Sequence, residues 1–134
     1  MSGGPGKSAA ILTVTGELAA GRTPDASDLA AAVRTLLRAL SAAAPGRSVE
    51  VRVPPFGAVQ CVDGPRHTRG TPPNLVEADP VTWVEVATGQ VSWATAVATG
   101  RVQLSGGRAD LSAYLPLWAP GDAESGRDVG HSRR

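Results

Sequence analysis

Residues 65–74 read PRHTRGTPPN, in which Arg66 and Arg69 bracket His67 and Gly70 and Pro72-Pro73 follow. Guanidinium groups present fixed forks of donors that match carboxylate or phosphate. His67 adds a donor that titrates near neutral pH, and Gly70 allows a ligand close to the backbone. The chemistry open to this set is the holding of an anion. The same residues also suit a solvated turn. Arg66 and Arg69 can pair with Asp63 or Glu77, Pro72-Pro73 can stiffen the entry to a strand, and Asn74 can cap a turn.

Other chemistry has less to work with. Cys61 is the single cysteine, six positions before His67. A nucleophile needs a thiolate, and a thiol in an apolar strand is ordinarily an inert small hydrophobe. His67 and His131 are the two histidines, so a three-histidine metal site is impossible within one chain. The opening MSGGPGKS imitates a phosphate loop at Gly6, Lys7 and Ser8, but Met1 stands where the first glycine belongs and no strand precedes it. No catalytic residue, metal ligand or cofactor is assigned.

The elements that must position the cationic segment can be read from periodicity. Leu29, Val33, Leu36, Leu37 and Leu40 form one stripe of a helix over 25–43, started by Thr23-Pro24-Asp25 and stopped by Pro45-Gly46. Residues 8–20 carry both helical spacing and strand-forming threonines, and a helix is expected there. Val49, Val51 and Val53 alternate with Glu50 and Arg52 as a strand, Pro54-Pro55 and Phe56-Gly57 turn the chain, and 58–62 form a partner strand. Residues 74–78 are a third strand. Asp79-Pro80 opens a helix that Gly89 closes, and Ser92 opens a second over 93–99. Residues 101–105 form a fourth strand with Val102 and Leu104 inward. A last helix is expected over 109–115. Residues 1–7 and 119–134 are expected to be disordered, leaving a single domain over 8–118.

Helices and strands come in separate runs. This predicts an α+β fold with a mostly antiparallel sheet of about four to five strands, covered on one face by helices. The 134 residues are enough for one core. A net charge of +1 gives no field that would favour nucleic acid, and Lys7 is the one lysine among thirteen basic residues. One cysteine excludes a disulfide framework within the chain and fits a reducing cytoplasm. No apolar run reaches about 18 residues, so no membrane span is expected, and no signal peptide is expected at the N-terminus.

The stretch VEVRVPPFGAVQCVDGPRHTRGTPPNLVEADPVTWVEVATG, residues 49–89, resembles the bacterial sterol carrier protein orthologues common in actinobacteria. VSWATAVATGRVQLSGGRADLSAYLP, residues 91–116, fits the ending of the same family. The resemblance implies a sterol carrier protein-like fold, in whose wider superfamily the space between sheet and helices can hold fatty acyl or sterol-like ligands. A related domain follows a metal-binding helical half in maleylpyruvate-isomerase-like proteins. That half is not expected in this chain, so its chemistry is not carried over.

The expected function is therefore a non-enzymatic carrier or binding domain for an apolar ligand with an acidic head group. Arg66, His67 and Arg69 are the anion candidates, and Phe56, Trp83, Val86, Trp93 and Tyr114 are candidates to line an apolar cavity. These aromatic residues equally suit a filled core. The alternative is a structural or protein-interaction domain, in which Trp118 could mark a patch for a homodimer. An enzyme acting on an anionic substrate ranks behind both, because no nucleophile–base–orienter set is visible.

Overall fold

The structure, a computed structural model, describes residues 4–64 and 74–118. Helix α1 spans Gly4–Ala19 and α2 spans Ala26–Ala43. Strands β1 (Val49–Val53), β2 (Gly57–Cys61) and β3 (Asn74–Ala78) follow, then α3 (Pro80–Ala87), α4 (Trp93–Ala98), β4 (Val102–Ser105) and a 3₁₀ turn over Ser112–Tyr114.

Each helix start has a local cause. The Asp25 carboxylate accepts hydrogen bonds from the Ser27 and Asp28 amides, satisfying donors that the first turn of α2 leaves open. Asp79 does the same for Thr82 N–H, with Pro80 at a first-turn position that needs no donor. Ser92 Oγ accepts from Thr95 N–H at the start of α4. The apolar stripe of α2 is buried at Val33, Leu36, Leu37 and Leu40, and it packs against α1, α3 and β2. Helix α1 contributes Ile11 and Val14, both fully buried.

The four strands lie in the order β2-β1-β3-β4. Strand β1 pairs antiparallel with β2 and parallel with β3, and β3 pairs antiparallel with β4. The register explains the parallel pair. Cys61 at the end of β2 lies opposite Val49 at the start of β1, and Asn74 at the start of β3 lies opposite that same Val49. The hairpin has returned the chain to the end where β1 began, so the next strand must run in β1's direction. We call this the entry end of the sheet, and the opposite end, at Val53, Gly57, Ala78 and Val102, the hairpin end.

The mostly antiparallel, helix-covered α+β fold is as the sequence predicts, with four strands. Three details differ. Helix α1 begins at Gly4, four residues before the helix expected over 8–20. The last helix is a single 3₁₀ turn, because the 111–116 stretch offers no side-chain cap and Pro116 follows at once. Leu104 sits on the helix-side face opposite Val76, yet it is 41% exposed because β4 is an edge strand. No described helix is long and apolar enough to cross a membrane.

Candidate ligand-binding site

Arg66, His67 and Arg69 lie outside the described residues. The structure does describe where that segment leaves and rejoins the fold, at Gly64 and Asn74 on the entry end.

Four residues build this end. Val62 has φ +66°, a left-handed conformation that strains a β-branched residue. It is held there from both sides. Its N–H donates to Ala44 O at 2.6 Å, and its carbonyl accepts from Ser48 N–H at 3.0 Å and from Ser48 Oγ at 2.7 Å. Gly46 is required opposite it, since a Cβ there would stand 2.2 Å from the Val62 carbonyl. Asn74 is buried and joins three parts of the chain. Its Nδ2 donates to Ser48 O at 2.8 Å, and its Oδ1 accepts from Arg108 N–H at 2.8 Å. Asn74 thus does more than cap a turn, because it ties β1's entrance to the loop after β4.

Arg108 is the residue that sequence reasoning missed. Its Nη1 lies 3.8 Å from the point where a Cβ on Gly64 would stand, and its backbone is bonded to Asn74. It therefore sits between the two anchors of the Arg66–Arg69 segment. Among the described residues its guanidinium makes no hydrogen bond or ion pair. Arg108 lies 34 positions from Asn74, and no short-range pattern connects them. Arg47, on the same end, donates to Gln60 Oε1 at 3.1 Å.

The thiol beside this end lies in the core. Cys61 is fully buried, and burial pushes its pKa up to about 11, so it stays protonated at neutral pH. Its neighbours are core side chains.

The apolar candidates divide by depth. Trp83 and Val86 are each 2% exposed and belong to the main core, and the Trp83 indole N–H donates to Val33 O at 3.3 Å. Phe56, Trp93 and Tyr114 are half-buried and pack against the same core. Phe56 lies in the turn at the hairpin end. Arg34 donates to its carbonyl at 3.0 Å and covers its ring at 5.9 Å. Near Trp93, Asp110 accepts from Ser112 N–H at 3.0 Å, which holds its carboxyl below the ordinary value. Trp118 is half-buried against the core and does not stand free.

The hairpin end holds a second polar cluster. Thr82, 1% exposed, donates from Oγ1 to Asp79 Oδ1 at 2.6 Å and accepts from Arg101 Nε at 3.2 Å. Arg101 also pairs with Glu85. Burial raises the Asp79 pKa, but the Thr82 hydroxyl and amide, with Arg101 nearby, outweigh it and leave the carboxyl below its ordinary value. Every group in this cluster has a protein partner.

The four-stranded, helix-covered architecture with one parallel pair is that of a sterol carrier protein-like α+β domain. The family model described as bacterial SCP ortholog matches residues 25–117, more than half of the chain, and the chain belongs to that family. Helix α1 lies before the matched span. No curated protein matches the chain.

Proposed function

We propose that the chain is a small-molecule carrier that binds an apolar ligand bearing an acidic head group, such as a fatty acyl chain. In this proposal the tail lies among the apolar side chains between sheet and helices, with the half-buried Phe56, Trp93 and Tyr114 nearest the apolar path and Trp83 and Val86 in the core behind them. The head group lies at the entry end, against Arg108 and against Arg66, His67 and Arg69 of the segment anchored there. Family membership supports the carrier role. The single observation that carries the head-group assignment is Arg108 beside Gly64 with its guanidinium unbonded among the described residues. A charge-assisted bond from guanidinium to carboxylate is among the stronger polar contacts a protein can make. The protonated Cys61 thiol favours binding over covalent catalysis. Cytoplasmic location is part of the proposal and rests on the single reduced cysteine.

Native mass spectrometry of protein purified from cells tests the carrier role. Co-purified fatty acid, or a rise in melting temperature on adding palmitic acid that cetyl alcohol does not reproduce, is expected. Apo protein with no shift for either ligand would leave the structural, protein-interaction role as the better account.

A further inference from the structure

The sheet has two edges, β2 and β4, with β2 also in contact with α2 and β4 with α4. Strand β4 pairs with β3 on one side, and among the described residues nothing pairs with its other side. Exposed edge strands are usually guarded by charge, proline, a bulge or shortness, because their free N–H and C=O groups recruit further strands, and β4, at four residues, has only the last of these. Val102–Ser105 reads VQLS and has no charged residue or proline. Its flanks are open too, since the Cβ positions of Gly100 and Gly107 face nothing within 4 Å. Gln103, Leu104 and Ser105 are all exposed.

We infer that β4 pairs with β4 of a second copy of this chain, antiparallel, about a two-fold axis at Leu104. The strand is self-complementary in that register. A two-fold perpendicular to the sheet keeps like faces together, so Leu104 meets Leu104 of the second copy on the helix-side face. On the open face Gln103 meets Ser105, a neutral pair able to hydrogen-bond. Arg101, at the strand's start, is already neutralised by Glu85, so it brings no uncompensated charge to the seam. A second copy fits better than a charged peptide, because the strand offers no charge to select one. The 119–134 segment, rich in glycine and charge, is a poor strand. The pairing would make one continuous eight-stranded sheet, twice the four strands described.

Sedimentation of the full chain over a range of concentrations, together with thiol crosslinking, tests this. Cys61 is fully buried, so an introduced surface cysteine reports alone. Directly opposed antiparallel residues have Cα separations within disulfide range. Leu104→Cys is expected to oxidise to a covalent dimer faster than Leu12→Cys, a control at the other exposed large apolar residue, 39% exposed on α1. Leu104→Lys is expected to weaken the dimer about tenfold or more by opposing two like charges. Its circular dichroism, and its melting temperature at concentrations where both proteins are monomeric, should match wild type, since the side chain is already exposed. A monomer at every concentration, or equal oxidation rates at positions 104 and 12, would overturn the inference.

Discussion

Arg101 and Arg108 stand seven positions apart, just before and just after β4, and mark opposite ends of the same sheet. At the hairpin end, Arg101 is spent on structure. Thr82 and Glu85 fix its guanidinium, and Thr82 in turn is fixed by Asp79. At the entry end, Arg108 is anchored through its backbone to Asn74 while its side chain makes no hydrogen bond or ion pair among the described residues. Under the proposed function one residue type serves two purposes: an arginine paired with an acid stabilises a corner, whereas one bonded through its backbone alone among the described residues is placed to meet a ligand. The scaffolding supports the contrast. The entry end carries the strained Val62, the obligatory Gly46 and the buried Asn74, the kind of over-determined backbone that collects at binding sites.

The largest expected effect comes from breaking the entry end itself. Asn74→Ala removes one buried and one partly buried hydrogen bond and leaves Ser48 O and Arg108 N–H without them, so urea unfolding should show a loss of about 2 kcal/mol. A loss no larger than that of a surface substitution would mean that Asn74 does not hold this end together. Thr82→Val tests the other corner. It keeps the shape but removes the hydroxyl shared by Asp79 and Arg101, and a loss of about 1–2 kcal/mol is expected by the same measurement.

The two ends should also answer pH oppositely. Asp79's folded pKa is depressed, so its contribution is fully present above the unfolded value and is lost as acid takes pH through the folded value. Asp79→Asn should flatten the acid limb of stability. Cys61's folded pKa is raised from 9.0 to about 11, so its contribution is full below the unfolded value and falls as pH rises through that window. The loss should reach about 1 kcal/mol near pH 10 and should vanish in Cys61→Ala, measured against that variant's own neutral-pH stability. An alkaline limb unchanged in Cys61→Ala would remove the thiol as its cause.

Much of the fold was legible because its causes are local. The stripe Val33–Leu36–Leu37–Leu40, the Asp25, Asp79 and Ser92 caps, and the valine alternation of β1 each act within one element. What depends on distant pairing was not legible. That β3 runs parallel to β1 follows from Cys61 and Asn74 sharing Val49 as neighbour. Leu104 has the alternation of an inward residue, but its exposure follows from β4 being at an edge. Trp83 and Val86, cavity candidates by residue type, are core residues because α3 presses them against α2. In the candidate site, PRHTRGTPPN drew attention by composition alone. Arg108 has no such signal, since its place beside Gly64 arises from a hydrogen bond to Asn74.

Palmitic acid binding by calorimetry, comparing wild type with Arg108→Met and palmitic acid with cetyl alcohol, tests the carrier account most directly. The account predicts that wild type binds the acid more tightly than the alcohol. It also predicts that Arg108→Met binds the acid about tenfold more weakly, the value of one charge-assisted hydrogen bond, while its unfolding free energy stays within about 0.5 kcal/mol of wild type. Equal affinity for acid and alcohol, or an Arg108→Met protein that binds palmitic acid as wild type does, would contradict the placement of the head group at the entry end.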